Sequence, residues 1–197
     1  DKFQGCDREL GLQMKSVGEV MSIGRCFNEA LQKACQSLEN NAIGLGVNVN
    51  EHLKTDEIIE SLKRPSWDRI FKIKDALKIG IPIKSIFNYT KIDPWYLLQI
   101  NELVNIEREV QKYSLDTLPK ELMKLIKQNG YSDEQIAILL ENKVSESDVY
   151  KKRKEQGIMR VFKMVDTCAG EFEAKTPYYY SSFDQENESV VSDKKKI

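Results

Sequence analysis

The chain has 197 residues, enough for one substantial core or two small ones. Apolar residues make up 41% and charged residues 31%, an ordinary balance for a soluble domain and a poor one for a membrane protein. Thirty basic against 31 acidic residues leave a net charge of −1, so no global field favours nucleic acid or anionic lipid.

No apolar run approaches the ~20 residues of a membrane span. The start, DKFQGCDREL, lacks the apolar stretch of a signal peptide. A cytoplasmic setting is expected. The four cysteines, Cys6, Cys26, Cys35 and Cys168, form no CxxC pair and no zinc-spaced cluster with a histidine. Free thiols in a reducing compartment are the expected state. His52, the only histidine, follows Glu51 in a polar loop and is expected at the surface.

Residues 1–13 read as an irregular lead-in. Ser16 followed by Glu19 has capping-box spacing, and predicts a helix running from there to about Glu39. Val17, Val20, Met21, Gly24, Phe27, Leu31, Ala34, Cys35 and Leu38 recur at steps of three and four, which predicts the buried face. Arg25, Asn28, Glu29, Gln32, Lys33 and Gln36 fall on the other faces. Cys26 and Cys35, nine residues apart on that helix, cannot bond to each other within it. Gly24 within the stripe predicts close approach of another backbone. A helix start beside Lys15 is a candidate anion contact at Lys15 and Ser16, although a well-capped core helix explains the same residues.

Residues 40–54 form a loop with Gly44, Gly46 and four asparagines, residues that tolerate turns. The glycines do not lie between a strand and a helix, so no phosphate cradle is expected. Thr55 caps a short helix with Asp56 and Glu57 in its first turn and Lys63 and Arg64 in its last. Pro65 stops it. Ser66 caps the next, which carries Trp67, Ile70, Phe71, Ile73, Ala76 and Leu77 and ends at Gly80. Pro82 opens a short apolar helix through Ile86 and Phe87.

Asp93-Pro94 predicts a helix start, with a capping aspartate and a proline in the first helical position. Trp95, Leu98, Leu103, Ile106 and Val110 are its expected core residues, and Arg108 and Lys112 close it. It is expected to be the central helix. Thr117 to Asn129 forms another, with Leu122, Leu125 and Ile126 buried and Gly130 terminating it.

Ser132 with Gln135 and Ser145 with Asp148 mark two further helix starts. Followed by the basic run Lys151-Lys152-Arg153-Lys154, they outline a helix-turn-helix at 132–157, the alternative reading as a DNA-binding module. Two packed helices with a solvated basic end account for the same pattern. Val161 to Val165 and Tyr178 to Phe183 are expected to be extended. Asp184 to Lys196 is polar and expected to be mobile.

Three stretches carry a family resemblance. They are MKSVGEVMSIGRCFNEALQKACQSLE (14–39), FNYTKIDPWYLLQINELV (87–104) and VFKMVDTCAGEFEAKTPYYYSSF (161–183). In order and approximate spacing they resemble the large chain of carbamoyl phosphate synthetase, around its central oligomerisation domain. The resemblance implies three parts. Residues 1–40 would be the tail of the first, carboxyphosphate-forming ATP-grasp half. Residues 41–160 would be the helical oligomerisation domain, and 161–197 an extended linker toward the carbamoyl-phosphate-forming half. Both chain ends would then be cut edges.

The fold class expected is mainly α, an irregular helical bundle with a few short extended segments near the C-terminus. No histidine-based triad, metal cluster or P-loop is recognisable, so no catalytic, cofactor-binding or metal residue is assigned. The resemblance implies a parent ligase using ATP and Mg (or Mn), outside this stretch, with a glutaminase subunit or domain as partner. The chain itself would link the ATP-grasp halves and self-associate as a homo-oligomer, with no nucleic-acid or membrane partner. Trp67, Phe71, Phe87 and Trp95 are the candidate self-association or interdomain surface. A free-standing ligand-binding helical domain is the third reading.

Overall fold

The computed structural model describes residues 5, 7, 9–13, 19–38, 40–47, 54–141, 143–173 and 178–189. They contain α1 (Phe27–Gln36), α2 (Thr55–Lys63), α3 (Arg69–Lys78), α4 (Ile83–Thr90), α5 (Pro94–Val110), α6 (Lys120–Gln128), α7 (Asp133–Leu139), α8 (Glu146–Glu155) and the strands β1 (Val161–Met164) and β2 (Tyr179–Ser182). The fold is mainly α, as expected. Helix α5 is the hub, packing against α1, α3, α4 and α7, while α2 joins α3 and α4 on one side. Helices α7 and α8 pair as a hairpin. The strands form one antiparallel ribbon with Val161 opposite Ser182 and Met164 opposite Tyr179.

Several local signals act as predicted. The Asp93 carboxylate accepts from Trp95 N–H at 2.8 Å, and Pro94 opens α5. Ser132 and Gln135 exchange hydrogen bonds at 3.0 and 2.8 Å, a reciprocal cap for α7. Ser145 and Asp148 do the same for α8. Gly130 follows α6 at φ +86°, a left-handed value suited to glycine. Boundaries shift by a few residues elsewhere. Thr55 is the first residue of α2 rather than its cap, and the Glu57 carboxylate takes the Lys54 N–H at 2.9 Å. The next helix begins at Arg69, with Ser66 donating to Asp68 at 2.6 Å.

The first helix departs most from expectation. Residues 19–24 are not helical, and α1 starts only at Phe27. Val20, Met21 and Ile23 are exposed, while Asn28, Glu29, Gln32 and Cys35 are the buried residues of α1. Cys35 is buried and Leu31 packs against the core as expected, but Asn28, Glu29 and Gln32, expected on the outer faces, are buried too, because these polar side chains find hydrogen-bond partners within the bundle. Gly24 does lie against a backbone. A Cβ there would stand 2.8 Å from Ala30 N, at the start of the chain's own next helix. The Ser16 cap, Lys15, Cys6 and His52 lie outside the described residues.

In α5 the expected core residues Leu103 and Val110 are buried and Ile106 packs against the core, but the first turns differ. Leu97, Ile100, Leu103, Val104 and Val110 are buried, while Trp95 and Leu98 are about half exposed. In α6, Met123 and Ile126 are buried and Leu125 is exposed. The loop at 40–47 is part of the core, with Leu45 and Val47 buried. Residues 184–189 are not a free tail. Glu188 N–H donates to Phe162 O at 2.8 Å, its carboxylate takes Met164 N–H at 2.7 Å, and Asn187 takes Phe162 N–H at 3.0 Å.

Candidate functional site

The inward face of α1 meets four distant parts of the chain. Gln32 Oε1 accepts from Leu45 N–H at 2.9 Å and from Gln135 Nε2 at 3.0 Å, joining α1, the 40–47 loop and α7. This junction leaves no room beside Gly44, where a Cβ would overlap Gln135 Nε2. Asn28 Nδ2 donates to Asn129 Oδ1 at 3.2 Å. Glu29 accepts from Arg25 N–H at 2.6 Å and from the Ser182 hydroxyl at 3.2 Å, and pairs with Lys33 at 2.8 Å. Lys33 Nζ also donates to Ile23 O at 2.9 Å and Ser181 O at 2.5 Å. The segment entering α1 and strand β2 are thus clasped side by side.

Two buried ion-pair groups lie beneath. Lys74 pairs with Glu107 at 2.7 Å and donates to Leu45 O at 2.9 Å. Burial lowers the Lys74 pKa against the opposing pull of Glu107. The Tyr131 hydroxyl lies 3.0 Å from Glu107 Oε1 and 3.2 Å from Leu103 O. Its pKa is raised by burial first and then by the Glu107 charge.

The second group is centred on Asp133. Its carboxylate receives Lys127 Nζ at 2.7 Å and Arg153 Nε at 2.9 Å. Lys127 also donates to Tyr131 O at 2.6 Å, and Arg153 Nη1 to Ile158 O at 3.1 Å. Burial pulls the Lys127 pKa down to about 8, with the Arg153 and Arg160 charges adding to the effect. Three cations surround the Phe183 ring, with Lys127, Arg153 and Arg160 at 4.8, 5.3 and 5.8 Å from its centroid.

A cleft of about 420 Å³ opens over these groups between α1, the end of α6 and β2. Glu29, Lys33, Lys127, Ser132, Arg160 and Ser181 are among its lining residues. Among the described residues no group of histidine, cysteine and carboxylate side chains is placed to hold a metal.

The residues singled out from sequence are dispersed. Trp67 is 41% exposed and lines a small separate cleft of about 180 Å³ with Phe71. Phe71 and Phe87 are partly buried against the core. Trp95 is 51% exposed and forms an edge-to-face cluster with Phe27 and Tyr96, at 5.4 and 5.0 Å between ring centroids. The basic run of α8 is not a uniform outer face, because Arg153 is turned inward onto Asp133. Cys35 is buried, which pushes its thiol up to about 11, and Cys26 caps α1 in an exposed position.

Sequence reasoning missed the polar junction and the Asp133 group. The spacing Asn28, Glu29, Gln32, Cys35 does mark one helical face, but polar residues there resemble a solvated surface. Lys127, Asp133 and Arg153 are separated along the chain and share no motif.

Among the described residues no helix is long and apolar enough to cross a membrane. The family model for the carbamoyl-phosphate synthetase large chain, oligomerisation domain, matches residues 19–157, which include every helix from α1 to α8. Over its full length the chain is 46% identical to the carbamoyl phosphate synthase large chain of Archaeoglobus fulgidus. It is 44% identical to that of Nostoc sp. and 43% to that of Synechocystis sp., again over its full length. It spans about a fifth of the length of these relatives, 19% of the first and 18% of the others.

Proposed function

We propose that this chain, which belongs to the oligomerisation-domain family of carbamoyl-phosphate synthetase large chains, links the two ATP-grasp halves of such a large chain and mediates its self-association. The match across all eight described helices, 19–157, carries this reading. The parent enzyme would be a ligase making carbamoyl phosphate from bicarbonate, glutamine-derived ammonia and two ATP, for pyrimidine and arginine synthesis in the cytoplasm. ATP and Mg (or Mn) would be held by the flanking halves, and ammonia would come from a glutaminase subunit or domain. This chain would supply geometry rather than chemistry.

The clasp of Glu29 and Lys33 on Ser181 and Ser182 supports a linking role. If residues 1–40 and 161–197 lead to the first and second halves, the clasp would hold the two connections side by side. The half-exposed Trp67 and Trp95 support a role in association, since large exposed aromatics serve as anchors at interfaces. The helix-turn-helix alternative is weakened by Arg153, whose guanidinium is paired inside the domain.

Reading the gene outward from both ends of this segment tests the assignment. ATP-grasp sequence on each side is expected. A reading frame with an unrelated domain on either side would overturn it.

A further inference from the structure

We propose that the cleft over Lys127 and Arg160 is a binding site for a small phosphate-bearing molecule. Its lining carries Lys33, Lys127 and Arg160 against the single carboxylate of Glu29. Lys33 spends its donors on Glu29, Ile23 O and Ser181 O, so that pair is neutral and internally satisfied. Behind the lining, Asp133 must balance both Lys127 and Arg153. One carboxylate therefore serves two cations, and Arg160 adds a third charge beside the same Phe183 ring.

Arg160 is exposed and has no carboxylate partner among the described residues; its contact is the Phe183 face. Its planar set of donors matches an oxyanion edge. Lys127 spends two of its ammonium hydrogens on Tyr131 O and Asp133, faces the Phe183 ring and is only 2% exposed, so it acts on the cleft as a charge beneath its floor. The Ser132 hydroxyl accepts from Gln135 N–H and keeps its own hydrogen to donate. The excess is about two positive charges, the charge of a phosphate monoester. The volume falls within the range of small-molecule sites and exceeds what one phosphate group fills. The site does not depend on the proposed linking role.

Titration of the chain with inorganic phosphate at constant ionic strength, followed by calorimetry and NMR, tests the proposal. Chloride and acetate serve as comparison anions. Saturable phosphate binding with a Kd of about 1 mM is expected for so small a probe. Arg160→Ala should weaken it at least tenfold without altering the fold, because Arg160 is exposed. Lys84→Ala, which removes an exposed charge outside the cleft, should leave it unchanged. Bound phosphate should also raise the Lys127 titration midpoint. No saturation up to about 20 mM phosphate, or equal binding by Arg160→Ala, would overturn the proposal. Acetate binding as tightly as phosphate would show a carboxylate site, as for an acidic side chain of a neighbouring domain, and would overturn it too.

Discussion

The Glu29 carboxylate accepts the Ser182 hydroxyl at 3.2 Å across 153 positions of sequence. Glu29 is 1% exposed, and among the described residues its charge is held by Lys33, Arg25 N–H and Ser182. Glu29→Ala leaves those partners unsatisfied and should cost about 2–3 kcal/mol of stability. Ser182→Ala removes one neutral donor and should cost about 1 kcal/mol. Urea unfolding measures both. Hydrogen exchange should show residues 179–182 opening more readily in Glu29→Ala, and equal protection in the two proteins would contradict the clasp.

Two glycines with left-handed backbones should respond differently to alanine. Gly44 has φ +55° and faces Gln32 and Gln135, whereas Gly80 has φ +86° and open space around it. Gly80→Ala should cost about 1–2 kcal/mol, the backbone penalty alone. Gly44→Ala should cost clearly more, because the added methyl must also push apart the Gln32–Gln135 hydrogen bond. Thermal unfolding of the two variants checks the order, and a milder Gly44→Ala would contradict the packing at that junction.

Stability should rise from about pH 8 toward pH 10.5 through Lys127. Its folded pKa is lowered to about 8 by burial, from an ordinary 10.5. Between those values the unfolded chain binds more protons at this lysine than the folded one, so raising the pH favours folding. The gain is on the order of 3 kcal/mol for this group taken alone. Comparing urea midpoints of the native chain and Lys127→Met across this window isolates it. An unchanged pH slope in Lys127→Met would contradict the assignment.

Arg153→Ala should destabilise the domain, not release it from a ligand. The side chain is 5% exposed and its loss leaves Asp133 with Lys127 alone. Breaking a buried pair in this way costs about 3–5 kcal/mol. Exposed Lys151→Ala should change stability by less than about 0.5 kcal/mol. Fluorescence anisotropy with duplex DNA at physiological salt should show no strong binding. Strong binding lost on neutralising Lys151 and Lys152 would restore the DNA reading.

Local chemistry was legible in the sequence where it acts within a few residues. Asp93-Pro94, Ser132 with Gln135 and Ser145 with Asp148 start helices because their partners are adjacent in the chain. Phase was harder to read in α5. Trp95, Tyr96, Leu97 and Leu98 are all large and apolar, so periodicity alone could not select Leu97 over Leu98 for the core. In α1 the error was larger. Its buried side is polar because Gln135, Asn129 and Ser182 wait there, and those partners lie 100 residues or more away in sequence. A hydrophobic stripe cannot report partners of that kind.

Self-association is the central property claimed for this chain, and sedimentation equilibrium tests it most directly. At ~100 μM an interface of standard size is occupied, so the chain should sediment as one species of defined stoichiometry above the monomer mass. Trp95→Ser and Trp67→Ser, each at an exposed aromatic, show which face carries the contact by shifting that species toward monomer. A monomer at every concentration up to ~100 μM, or a broad distribution of masses without defined stoichiometry, would contradict the account.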